Sequence, residues 1–252
     1  MTDLVLREDR GAAAHLILNR PDKLNSLNVP VFEALNNHIK DLARDRGSIA
    51  VVVLRGAGPC FSAGHDLGDI AAGERLPEPN FQGKVIERLA GLPLPVISAV
   101  HGHCYTGALE LALAGDIILA AEGARFADTH AKWALTPVWG LSQRLPRRVG
   151  TAKAREMMFT CRTYYGPEAA AMGLANSCVP DDQFLAAIDA LAAEIAANSS
   201  YSHAANKRLL DATDGLPLVA GLAHEIHRGE GRGPDMSERI AAFAARKRPA
   251  KT

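Results

Sequence analysis

An α/β fold with parallel strands is predicted by three features of this 252-residue sequence. Residues 50–55, 96–100 and 117–121 are near-continuous apolar runs, the pattern of strands covered on both faces. Strand, loop and helix patterns then follow one another repeatedly, which is the order of a parallel α/β core. From Thr151 onward the chain becomes Ala-rich and helical, so a helical C-terminal part follows that core.

In chain order, residues 4–7 and 14–18 read as short strands joined by a turn at Asp9-Arg10-Gly11. A polar loop runs from Asn19 to Ser26. Phe32, Leu35, Ile39 and Leu42 recur at helical spacing and predict an amphipathic helix over 29–46. The strand at 50–55 comes next. Residues 73–83, rich in Gly, Pro and charge, read as a mobile loop. A helix finishes over 86–92 ahead of Pro93 and Pro95, which cannot continue it. After the strand at 96–100, a helix is predicted over 107–114 and then the strand at 117–121. Residues 184–197, 203–211, 217–227 and 237–247 carry the main C-terminal helical patterns. The sequence itself shows no internal repeat.

Composition narrows the function. The chain is 48% hydrophobic with 5% aromatics, so it reads as globular with a mainly aliphatic core. A formal net charge of zero argues against a nucleic-acid binder. The four cysteines are scattered without a CxxC pair, so no disulfide framework is implied and a reducing cytoplasm is expected. The N-terminal residues lack the apolar segment of a secretion signal, and no apolar run reaches membrane-spanning length. His101 and His103 lie close together, but two histidines without a third ligand do not make a zinc site, so no metal is expected.

The chemistry begins at Glu110, the only charged residue between Gly107 and Gly115. An unpaired buried carboxylate costs several kcal/mol or takes up a proton. Burial would raise its pKa and the helix start would lower it; the sequence leaves that contest open. Two strand-to-helix turns precede it in sequence, Pro59-Cys-Phe-Ser-Ala-Gly-His-Asp-Leu67 and His101-Gly-His-Cys-Tyr-Thr-Gly107. Glycines let the backbone pass close to a ligand, and helix starts offer unpaired N–H donors. A pair of such donors can polarise a carbonyl oxygen as an oxyanion hole, with Glu110 one turn away as acid or base.

These segments, together with Asn19-Arg-Pro-Asp-Lys-Leu-Asn-Ser-Leu27, Val52-Val-Leu-Arg-Gly-Ala-Gly58, Pro95-Val-Ile-Ser-Ala-Val-His-Gly102 and Arg144-Leu-Pro-Arg-Arg-Val-Gly150, resemble the enoyl-CoA hydratase/isomerase (crotonase) superfamily in order and spacing. The resemblance implies a crotonase-like spiral of repeated ββα units. It places an acyl-CoA site in residues 1–195, with 196–252 a helical region for trimerisation and CoA contact. It also implies a homotrimer or dimer of trimers, with CoA arriving on the substrate and no other cofactor required.

By the same resemblance, the backbone N–H groups of His65 and Gly107 would bind the thioester oxygen. Lys23, Leu24, Ala63, Asp66 and Leu67 would lie along CoA, as would Phe243 and Lys247 of the last helix. Glu110 matches the first catalytic glutamate, and the position of the second holds His130. Trp133 and Trp139 either line an acyl pocket or fill the core. Three readings follow: an enoyl-CoA hydratase/isomerase-like enzyme, an acyl-CoA decarboxylase or hydrolase of the same fold, or an acyl-CoA-binding subunit with impaired catalysis. His65 points to the decarboxylase branch, because most relatives carry a small residue there.

Overall fold

The computed structural model describes residues 3–45 and 47–246. Its first two strands, β1 (Val5–Arg10) and β2 (Ala13–Leu18), pair antiparallel. The turn lies later than expected. Asp9 and Arg10 remain in β1, opposite Ala14 and Ala13, and Gly11 supplies the left-handed residue at φ +58°.

α1 (Val29–Arg44) starts at Asn28, whose side chain accepts the Val31 N–H, and carries Pro30 in its first turn. It buries Phe32, Leu35, Ile39 and Leu42, the face its spacing predicts. Arg46, its expected last residue, lies outside the described residues. β3 (Val51–Gly56), α2 (Leu67–Ala71) and α3 (Phe81–Ala90) follow. The loop expected over 73–83 therefore ends at Asn80, because Phe81, Val85, Ile86 and Leu89 bury one helical face.

Next come β4 (Val96–Val100), β5 (His103–Tyr105) and α4 (Gly107–Ala112), then β6 (Ile117–Ala121), β7 (Arg125–Ala127) and α5 (Leu141–Thr160). Periodicity did not predict α5. Pro146 lies inside it and Gly150, at φ +76° and ψ 155°, kinks it, so no single apolar stripe runs its length. β8 (Tyr164–Tyr165), α6 (Gly166–Ala171) and β9 (Ser177–Val179) lead to the C-terminal helices α7 (Phe184–Ala196), α8 (Ser200–Thr213), α9 (Leu218–Arg228) and α10 (Met236–Arg246).

The large sheet has the order β1-β2-β3-β4-β6-β9 and is parallel from β2 onward. A small sheet, β5-β7-β8, accompanies it. Here the repeat hidden in the sequence becomes visible. β4 in the large sheet is followed by β5 in the small one and then α4; β6 is followed by β7 and then α5. After β3, Ser62 takes the small-sheet position by bridging to Cys104 of β5. Each turn of the spiral is a ββα unit.

Both faces of the large sheet are covered, which explains its unbroken apolar strands. Val52, Leu54, Val96, Val100 and Ile118 pack in the main core with α1, α3 and α4. On the other face Val51, Val53, Ile97, Ala99 and Leu119 pack against Phe184, Ile188, Ala192 and Ile195 of α7. Each fully buried aliphatic side chain is worth about 1.5–3 kcal/mol. By contrast α8 and α9 bury no residue. Among the described residues no helix is long and apolar enough to cross a membrane.

Candidate active site

The site is built where two strand-to-helix segments meet. Gly64, at φ +104°, is packed so closely that a Cβ would lie 2.6 Å from the Tyr105 carbonyl oxygen and 3.7 Å from the Gly107 nitrogen. The segment after β3 thus rests directly on the start of α4. A Cβ on Gly107 would lie 2.5 Å from Cζ3 of Trp139, so this position also requires glycine. Thr106, ahead of α4, holds φ +54° and ψ −109°, a costly conformation for a β-branched residue. Its Oγ1 accepts the Thr129 N–H at 3.1 Å and lies 2.5 Å from the Thr129 Oγ1, which ties the start of α4 to the segment after β7.

Between these segments is a cavity of about 550 Å³. It brings together Glu110, His130, His65 and Gly107, with Ala63, Leu67 and Trp139 also in its wall. Trp139 is buried and lines the cavity, so both readings of that residue hold at once; Trp133 stands half out of the wall, 54% exposed.

Glu110 is 1% exposed. Its Oε1 accepts the backbone N–H groups of Trp139 at 2.8 Å and Leu141 at 3.1 Å. Its other oxygen, Oε2, lies 3.7 Å from Nε2 of His130. The contest left open by the sequence is settled by burial. Desolvation holds the Glu110 carboxyl above the usual carboxylate range, outweighing the two amide bonds and the nearby His130.

His130 is buried at the start of a short 3-10 turn, His130–Trp133. Its Nδ1 lies 2.6 Å from Oδ1 of Asp128, which also accepts the His130 backbone N–H at 3.1 Å. A carboxylate only accepts, so Nδ1 carries the hydrogen and Nε2 is left facing Glu110. Asp128, His130 and Glu110 form one connected line of titratable groups that can hold and pass a proton.

His65 is fixed in a different way. Its Nε2 meets Glu74 Oε2 at 2.9 Å, and its ring centroid stacks 4.8 Å from that of Trp139. Glu74 in turn accepts Gln82 Nε2 and the Val29 N–H, both at 2.8 Å, so His65 is anchored to α1 and α3. Sequence reasoning singled out neither Asp128 nor Glu74. An acid two residues before a suspect histidine was a usable signal for the first; nothing in the spacing marks the second.

The other expected residues among those described, Lys23, Leu24, Asp66 and Phe243, do not line the cavity. Leu24 is beside it, its carbonyl accepting the Ala63 N–H at 2.9 Å, and Lys23 precedes it in a 3-10 turn. The Asp66 carboxylate is taken up by Arg20, Ser26 and the Gly68 N–H at the start of α2. Phe243 is 60% exposed on α10. Lys247 lies outside the described residues. Among the described residues no group of three or more His, Cys, Asp or Glu is placed to hold a metal ion.

Comparison with known proteins agrees with this fold. Residues 8–249 match the family described as Enoyl-CoA hydratase/isomerase. The chain is 35% identical over 242 residues to the probable enoyl-CoA hydratase of Rhodobacter capsulatus, covering 94% of this chain and 93% of that one. It is 31% identical over 258 residues to the 1,2-epoxyphenylacetyl-CoA isomerase of Escherichia coli, covering 99% and 98%. The solved enoyl-CoA hydratase of Bacillus anthracis superposes with a TM-score of 0.89 at 30% identity over 98% of both chains.

Proposed function

Because the chain belongs to the enoyl-CoA hydratase/isomerase family, we propose that its cavity takes an enoyl-CoA thioester and that Glu110 and His130 move protons at the carbons next to the thioester. The observation that carries this reading is the 3.7 Å approach of the free Glu110 oxygen to His130 Nε2 inside the cavity. Oε1 of Glu110 is occupied by two amides, so Oε2 is the oxygen available for chemistry.

In the proposed hydration, the Glu110 carboxylate takes a proton from water as the water oxygen bonds to C3. The backbone N–H groups of His65 and Gly107 hold the thioester oxygen as it gains enolate charge. The His130 imidazolium then gives its Nε2 proton to C2, completing a 3-hydroxyacyl thioester. Glu110 is left protonated and His130 neutral. A proton passing from Oε2 to Nε2 restores the starting pair. Asp128 holds the ring in register throughout and offsets its charge. The same pair serves double-bond migration, in which a proton leaves one carbon of the enolate system and returns to another.

CoA would run past Ala63 and Leu67 toward Lys23, Leu24 and Asp66, with Phe243 and Lys247 reaching it from the last helix. The assembly proposed is a homotrimer or dimer of trimers. The His65 ring supports the decarboxylase reading less well, since its Nε2 is committed to Glu74. The test is turnover of crotonyl-CoA and longer enoyl-CoAs, followed as loss of the conjugated thioester absorbance and by product analysis. Formation of 3-hydroxyacyl-CoA or of a shifted double bond supports the reading. Binding without turnover across the panel, or release of carbon dioxide or free CoA alone, overturns it.

A further inference from the structure

A second cavity, of about 640 Å³, lies at the carboxyl ends of β3, β4 and β6 and shares no wall residue with the first. The carboxyl ends of parallel strands are where open α/β sheets receive ligands. Its wall carries two guanidinium groups, Arg55 and Arg125, and two imidazoles, His101 and His103, against one carboxylate, Asp181. Asp181 already accepts the Gly123 N–H at 2.9 Å.

The basic groups here are poorly partnered. Arg55 Nη2 reaches Glu8 Oε2 only at 3.5 Å, and that oxygen is held more closely by Arg10, at 2.9 Å. Arg55 Nε, His101 Nδ1 and His103 Nδ1 are buried with no hydrogen-bond partner among the described residues. Each unmade buried bond costs about 1–3 kcal/mol, so three in one wall is a concentrated deficit. His101 Nε2 lies 3.0 Å from the Gly58 carbonyl, which only accepts, so in the neutral ring Nδ1 is the bare nitrogen.

We propose that this cavity binds a small oxyanion, a carboxylate or phosphate group, held by Arg55 and Arg125 with His101 and His103 protonated in the bound state. The protein surroundings alone disfavour those protons. Burial first, and then Arg55, hold His101 down against the Gly58 carbonyl and Asp181; burial and then Arg125 hold His103 down. An anion between the guanidinium groups reverses that balance, so binding takes up protons. The charged groups facing the two rings are Arg55 from β3, Arg125 from β7 and Asp181 ahead of α7. Glu8, Arg10 and Asp189 act on Arg55 from behind.

The experiment is calorimetric titration with inorganic sulfate, whose charge is constant over the range used. Saturable binding that tightens at least about tenfold from about pH 8 to about pH 6 is expected. Arg125→Gln and His103→Gln should each weaken it about tenfold or more; Arg125→Gln leaves acyl-CoA turnover unchanged where the anion is separate from CoA, and raises KM for acyl-CoA where it is a phosphate of CoA. Arg125 is exposed, so its replacement does not disturb the core. A repeat with CoA present separates the sources: exclusion of sulfate identifies the anion as a phosphate of CoA, and simultaneous binding identifies a separate small anion. Absence of saturable binding, insensitivity to Arg125→Gln, or affinity that does not change with pH overturns the proposal. None of these results bears on the Glu110–His130 chemistry.

Discussion

His130 lies between two carboxylates, with Nδ1 2.6 Å from Asp128 Oδ1 and Nε2 3.7 Å from Glu110 Oε2. The short contact is structural, since it selects the tautomer and fixes the ring. The longer one faces the cavity and is open to adjustment when a substrate or water sits between the two groups. Buried charges this close couple strongly, so the three residues act as one unit.

Replacing Glu110 tests that unit most directly. Glu110→Gln keeps an oxygen able to accept the Trp139 and Leu141 amides, so the local fold should survive. It removes the proton-carrying oxygen, and kcat for enoyl-CoA turnover should fall about 10²–10⁴-fold with little change in KM. Steady-state kinetics with a circular dichroism control measure this. Unchanged kcat would remove Glu110 from the chemistry.

The raised pKa of Glu110 gives a stability prediction of definite sign. A carboxyl whose folded pKa exceeds its unfolded value binds more protons in the native state. Its contribution is fully present below the ordinary value of 4.5 and is lost as pH rises through the folded pKa. The wild type should therefore lose stability relative to Glu110→Gln as pH rises above that point. Thermal unfolding of both proteins across pH measures the difference. A difference that stays flat would show that the two amide bonds cancel the effect of burial, and one that changes the other way that they outweigh it; either overturns the prediction.

Asp128→Asn tests the tautomer. An amide can present either its oxygen or its NH2 to Nδ1; both remove the negative charge that supports the imidazolium, and the second takes the hydrogen off Nδ1, so the doubly protonated ring is disfavoured. We expect kcat to fall at least about tenfold, by less than in Glu110→Gln, with the acid side of the pH profile displaced. A purely structural role would lower stability and the amount of active enzyme but leave that profile in place.

How much of this was legible depended on distance along the chain and on regularity. The parallel strands were readable because burial on both faces leaves long apolar runs. Glu110 was readable because nothing near it shares its charge. α5 was not readable, since Pro146 and Gly150 break its stripe. The donors that pin Glu110, at Trp139 and Leu141, come from the distant entry to α5, and Glu74 reaches His65 from beyond the short helix α2. Such contacts depend on tertiary geometry, and no residue pattern encodes them.

The contact between Gly107 and Trp139 allows a steric test. A Cβ at Gly107 would meet the indole at 2.5 Å, so Gly107→Ala must displace either Trp139 or the start of α4. Overpacking of this kind costs about 1–3 kcal/mol. Because the Trp139 N–H also holds Glu110, activity should fall along with stability. The double variant Gly107→Ala/Trp139→Phe should recover part of the stability loss, a coupling that a double-mutant cycle measures. Strict additivity would show that the indole has room to move.

Assembly is the last expectation and rests on α9. Leu218, Leu222 and Ile226 recur every fourth residue, so they form one stripe, yet they are 77%, 48% and 72% exposed. Such a stripe normally faces a core. In α9 it faces outward, and Val219 beside it and Leu210 of α8 are exposed as well. A second copy of the chain is the occupant expected from the family. Covering these side chains would contribute up to about 1.5–3 kcal/mol each, a gain that offsets the cost of association. Light scattering coupled to size exclusion should give a trimer or hexamer. Leu222→Asp with Ile226→Asp, which places two charges on the stripe, should shift the protein to smaller species while circular dichroism stays native-like. A wild-type monomer, or an assembly indifferent to both charges, would mean that α9 is covered by something other than another subunit.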